Sequence, residues 1–138
     1  YWGDWHRDSV FGEDRAMRIS PTKSTLNRKM PFTVHNDAPV VPPDMIRLLW
    51  STTNRKTRSG KVLGEEQKIS TYSALEAMTI NAAYQHFEDD IKGTIEVGKQ
   101  ADLVVLSQDP LSIDTKNILE IDVVATFSRG QEVFNAKK

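Results

Sequence analysis

The chain contains no cysteine, which excludes a disulfide scaffold, a thiolate metal site and a cysteine nucleophile together. That absence is compatible with a reducing compartment, so a cytoplasmic location is the expectation. No apolar run approaches the roughly 18–20 residues of a membrane-crossing helix; the longest, "ADLVVL" at 101–106, has strand length. No signal-peptide pattern opens the chain. Neither sign of charge is in marked excess, with 18 basic and 19 acidic residues, and the basic ones are scattered. Neither nucleic acid nor a membrane surface is therefore expected as a partner. An initiating methionine is missing too: the chain begins "YWGDWHRD", with aromatic residues where a natural terminus is ordinarily polar and loose. The expectation is a piece of something longer.

What is present, 138 residues at 38% hydrophobic content, suits one compact unit. Residues 1–30 are charge-rich, and "RISPTKSTLNRKM" offers Ser20 as N-cap and Pro21 as first residue of a short helix. "PFTV" at 31–34 reads as a buried strand, followed by a loop through Pro39, Pro42 and Pro43. Behind Asp44, Met45, Leu48, Leu49 and Thr52 recur at helical spacing. "NRKTRSGKVLGEEQ" reads as a mobile polar loop, and its "RSGKVLG" lacks the leading Gly and trailing Ser or Thr of a phosphate-binding loop. Ser70 or Thr71 caps a helix through "YSALEAMT", and "INAAYQHF" continues or restarts it. From Gly93 the pattern is extended: "DLVVL" as a fully buried strand, then two strands joined at Arg129-Gly130. Gly98, Ala101 and Asp102 suit a tight turn whose carboxylate bonds loop backbone. There is no internal repeat or low-complexity tract.

Three histidines and one strand-end carboxylate are the residues that could carry chemistry. Asp37, in "VHNDAP", could hold a divalent metal or accept a proton from water, with His35 beside it as a ligand or substrate contact. Alternatively Asn-Asp-Ala-Pro is turn chemistry, with the Asp37 carboxylate bonding its own backbone. Arg55 could pair with a substrate carboxylate or belong to a solvated basic loop. His86 suits a helix end.

"TVHNDAPVVPPDM", "WSTTNRKT", "STYSALEAMTINAAY" and "KGTIEVGKQADLVVLSQDPL", in this order, resemble the C-terminal part of the amidohydrolase superfamily. The nearest branch is the family 3 group that includes N-substituted formamide deformylases. "GDWHRDSVFGEDRAMRISPT" matches just upstream. The resemblance implies an α/β fold: the last strand and helices of a metal-dependent hydrolase (β/α)8 barrel over residues 1–92, and antiparallel strands of a composite β-sandwich over 93–138. It implies Asp37 as metal ligand and proton carrier, with His35, His6 and Arg55 as substrate contacts and a small-molecule amide as substrate. It also implies a divalent metal, zinc, in the complete enzyme. The family's His-x-His pair is absent here, and catalytic zinc takes about three protein ligands. The chain alone is thus expected to be inactive, need not hold a metal, and would associate with a missing N-terminal part or with copies of itself. A non-catalytic, self-associating module is the rival reading. A nucleic-acid binder using Arg55, Lys56, Arg58 and Lys61 ranks last, against the acidic balance.

Overall fold

The structure, a computed structural model, describes residues 1–137. Short helical turns α1 (Gly3–Trp5) and α2 (Glu13–Ala16) flank a π-helical segment, His6–Phe11, and α3 (Thr22–Asn27) follows. The α3 cap falls one residue later than the sequence suggests. Pro21 is the N-cap with no side-chain bond, because Ser20 turns left-handed at φ 47° and is spent on the turn rather than on capping.

Helix α4 (Met45–Asn54) is the spine. Asp44 caps it, its carboxylate accepting from the Arg47 backbone N–H at 2.9 Å. Its buried face carries Leu49, Thr52, Thr53 and Asn54. The two threonine hydroxyls donate back to the carbonyls of Leu48 and Leu49, so neither is buried unpaired. The Asn54 amide and the Trp50 indole N–H donate to the carbonyls of Thr115 (2.8 Å) and Lys116 (3.2 Å), tying α4 to a 3₁₀ turn over Thr115–Glu120. Leu49, Ile69, Ala74, Ile118 and Ile121 form the core, which therefore draws on both sides of residue 92. Helices α5 (Thr71–Met78) and α6 (Ile80–Gln85) are two elements broken at Thr79, and Ser70 caps α5 by accepting from the Ser73 N–H.

Strands β1 (Leu103–Leu106), β2 (Val123–Ser128) and β3 (Gln131–Asn135) form an antiparallel sheet in that order. The hairpin turns at Arg129 and Gly130, at φ 50° and 75°, the backbone a two-residue turn between twisted strands requires. Asp102 accepts from the Arg129 N–H at 2.8 Å and Ala101 from the Gly130 N–H at 2.9 Å. That is the loop-bonding role its sequence context suggested. The bond from Arg129, then that from Gln100, holds the Asp102 carboxyl below its usual range.

Three expectations need correction. Residues 31–34 are not a strand, since a strand needs a ladder partner and none lies beside them among the described residues. "DLVVL" is a strand but not fully buried: Leu103, Val104 and Val105 are exposed, because β1 is an edge strand of which Leu106 alone packs against the core. "NRKTRSGKVLGEEQ" is a packed turn rather than a mobile loop. Lys56 bridges Val62, and Thr57, Leu63 and Gln67 are buried.

Candidate functional site

A cleft of about 900 Å³ opens between the N-terminal aromatic segment, the 35–42 loop, the outer face of α4 and the 55–58 turn. His6, His35, Asp37 and Arg55 all line it, although up to 49 positions separate them in sequence.

Asp37 is exposed and left-handed at φ 56°. Its carbonyl accepts from the Val40 N–H at 2.8 Å, and its own N–H donates to His35 Nδ1 at 3.0 Å. The turn is therefore held by the His35 ring. The Asp37 carboxylate makes no hydrogen bond or ion pair among the described residues and does not bond its own backbone.

His6 stands between two rings, 5.3 Å from Trp5 and 5.5 Å from Phe11. Tyr1 and Trp2 pack edge-to-face at 5.4 Å and continue this aromatic wall into the cleft. The Arg58 guanidinium lies 4.8 Å from the centre of the Tyr1 ring, a cation–π distance.

Arg55 faces the cleft with much of its donor capacity committed. Nε donates to the Leu63 carbonyl at 2.7 Å, one terminal nitrogen to Ser20 at 2.9 Å and the other to Ile19 at 2.7 Å. Burial lowers its pKa, with Glu66 opposing. The Leu63 N–H returns a bond to the Arg55 carbonyl. Gly64 closes this corner at φ 71°, where a Cβ would lie 2.1 Å from the Met17 carbonyl oxygen.

Sequence reasoning missed the network that supports this wall. Asp4 accepts from the Ser59 hydroxyl (2.7 Å), the Ser59 N–H (2.9 Å), the Thr57 hydroxyl (2.8 Å) and Arg7 (3.2 Å). The Ser59 hydroxyl bond, despite desolvation, leads in holding its carboxyl down at about 2. Partners 53 and 55 positions away leave no local signal. The aromatic pair Tyr1 and Trp2 was visible, but not as a cleft wall.

No group of three or more His, Cys, Asp or Glu side chains able to hold a metal occurs among the described residues. The exposed, unbonded carboxylate of Asp37 suits one ligand of such a site; the full set does not fit. Nor is any helix among the described residues long and apolar enough to cross a membrane.

Comparison with known proteins meets this geometry. An N-substituted formamide deformylase from Arthrobacter pascens is 28% identical over 120 residues, covering 86% of this chain and 22% of that protein. The protein named "Putative amidohydrolase YtcJ" from Bacillus subtilis (strain 168) is 27% identical over 126 residues, covering 89% and 24%. The crystal structure of an amidohydrolase from Thermotoga maritima MSB8 superposes with a TM-score of 0.62 at 24% identity, over 83% of this chain and 26% of that one, a likeness of fold. The chain thus spans about a quarter of the length of the relatives it matches. With Asp37, His35, His6 and Arg55 all inside the matched residues 1–134, the chain belongs to the amidohydrolase family.

Proposed function

We propose that this chain contributes the Asp37-bearing part of the active site of a metal-dependent hydrolase acting on a carbon–nitrogen bond other than a peptide bond, of amide or formamide type. The observation that carries the reading is the unbonded Asp37 carboxylate, set in one cleft with His35, His6 and Arg55. Asp37 accepts a proton from the attacking water and delivers it to the leaving amine. His35 and His6 contact the substrate, and Arg55 chiefly holds the wall that the substrate meets. Asp37 would be one ligand of a divalent ion, zinc by family resemblance, whose other ligands would have to come from further polypeptide. Residues 1–92 would then be the end of a (β/α)8 barrel, and residues 93–138 half of a composite sandwich.

On this reading the 138 residues do not turn over substrate alone, and their partner is an N-terminal portion of the same enzyme. The cysteine-free composition suits a reducing cytoplasm. The test measures amine release from N-substituted formamides by the chain alone and joined to a preceding amidohydrolase portion, each with added zinc. Turnover is expected only in the joined form, and lost by orders of magnitude in Asp37→Asn with the fold intact. Full turnover by that variant refutes the role given to Asp37. Self-association is the second reading, favoured by exposed Phe87, Ile95, Val97 and the β1 residues. Sedimentation equilibrium distinguishes it, since a defined oligomer without catalysis in either form supports the module.

A further inference from the structure

We propose that His35 is held by the backbone of Asp37 as the neutral tautomer with its proton on Nε2. The ring then serves the cleft as a hydrogen-bond donor to a carbonyl-type oxygen, not as a metal ligand, and the same bond positions Asp37.

The argument begins with one contact. The Asp37 N–H reaches His35 Nδ1 at 3.0 Å. An amide N–H can only donate, so Nδ1 must present its lone pair, and a neutral imidazole then carries its proton on Nε2. Neither ring nitrogen is left with a free lone pair: that of Nδ1 is engaged and Nε2 has none. Coordination of a metal at either nitrogen requires the bond to Asp37 to be given up or the tautomer reversed. A donor role at Nε2 requires neither.

The local geometry explains why a histidine can do this. Accepting from the N–H two residues on is the habit of Asn and Asp side chains in turns, and here the imidazole takes that place. Residue 37 is fixed at both its N–H, by His35, and its carbonyl, by Val40. Its left-handed backbone is thereby maintained while its carboxylate remains unbonded. In "HND" two side chains looked alike as candidate ligands, and the structure gives them opposite characters. Asp37 offers acceptor oxygens, and His35 offers a single N–H. An amide presents the complement, a carbonyl oxygen to accept from Nε2–H and an amine that must gain a proton. That last match rests on the proposed function; the tautomer and the positioning of Asp37 do not.

The experiment is nitrogen-15 NMR on the protein as it stands. A through-hydrogen-bond coupling is expected between the Asp37 amide nitrogen and His35 Nδ1, with a pyridine-type shift at Nδ1 and a pyrrole-type shift at Nε2. A protonated Nδ1, or no coupling, overturns the assignment. N-methylformamide, as a carbonyl probe, should move the Nε2–H signal of His35; an unmoved signal overturns the donor role. Added Zn²⁺ should leave that proton in place, and its loss overturns the exclusion of His35 as a ligand. His35→Asn keeps an acceptor for the Asp37 N–H and His35→Leu removes it. Exchange protection of that amide should survive in the first and fall by about tenfold in the second; equal protection in both overturns the positioning role. A wild-type-like Asp37→Asn enzyme would remove the proton-carrier reading while leaving the His35 tautomer untouched.

Discussion

Replacing Arg55 by Met isolates what its guanidinium does. Arg55 is the left-handed C-cap of α4 at φ 53°, and Met at that position carries the same backbone cost, so only the head group is lost. Three carbonyls then each lose a donor: Leu63, Ile19 and Ser20, the last of which keeps the Thr22 N–H. The Ser20 bond is exposed, and water replaces it at little cost. The other two are partly buried, and a buried acceptor left unpaired costs about 1–3 kcal/mol. The expected loss for the two acceptors together is therefore about 4 kcal/mol, within a span of about 2–6 kcal/mol. Arg55→Lys has one ammonium for three acceptors that point in different directions, and should recover less than half of the difference. Urea unfolding followed by circular dichroism measures both variants, with an unchanged m-value as the check that the unfolding transition is the same. If Arg55→Met lies within about 0.5 kcal/mol of the parent, the range of ordinary surface substitutions, the guanidinium is not holding the cleft wall and the argument fails.

Gly64→Ala must move the Met17 carbonyl, 2.1 Å from the new Cβ, as well as take up a left-handed backbone, a cost of about 1–2 kcal/mol by itself. Gly60→Ala, at φ 84° with nothing within 4 Å, carries only the second penalty, so equal losses in urea midpoints would contradict the close approach at Gly64. Leu49 is 1% exposed at the centre of the core, and Leu49→Ala should cost about 2–5 kcal/mol in the same assay; a smaller loss would place the core elsewhere. The Asp4 carboxyl titrates at about 2 in the folded chain against 3.8 ordinarily. Its contribution is complete above the ordinary value and is lost as pH falls through the folded one. Melting temperatures recorded over that interval should fall less steeply in Asp4→Asn than in the parent, and parallel acid limbs would show that its bonds to Ser59 and Thr57 add no stability.

Much of the helical framework was legible because its signals are local. Asp44 and Ser70 cap the helices their positions suggested, and Arg129-Gly130 makes the hairpin turn, since caps and tight turns depend on residues only a few positions apart. Strand status at 31–34 and burial at 103–105 were not legible, because a ladder partner and a covering layer are both distant in sequence. The site divides the same way. His6, His35, Asp37 and Arg55 were named from motif and resemblance, and all four face one cleft. The division of labour between His35 and Asp37 was hidden, since an imidazole accepting from the N–H two residues on leaves no pattern that distinguishes it from an Asn-Asp turn. The Asp4 anchorage spans more than 50 positions and leaves no periodicity.

The two side-chain bonds from α4 to the carbonyls of Thr115 and Lys116 act as rivets across the molecule. A helix that borders the cleft is also bolted, through Trp50 and Asn54, to the turn that leads into β2, which resists its sliding or rotating alone. Melting of that turn would loosen the floor beneath the 35–42 loop, and the amides of α4 and of residues 115–120 should open to solvent together rather than in separate steps.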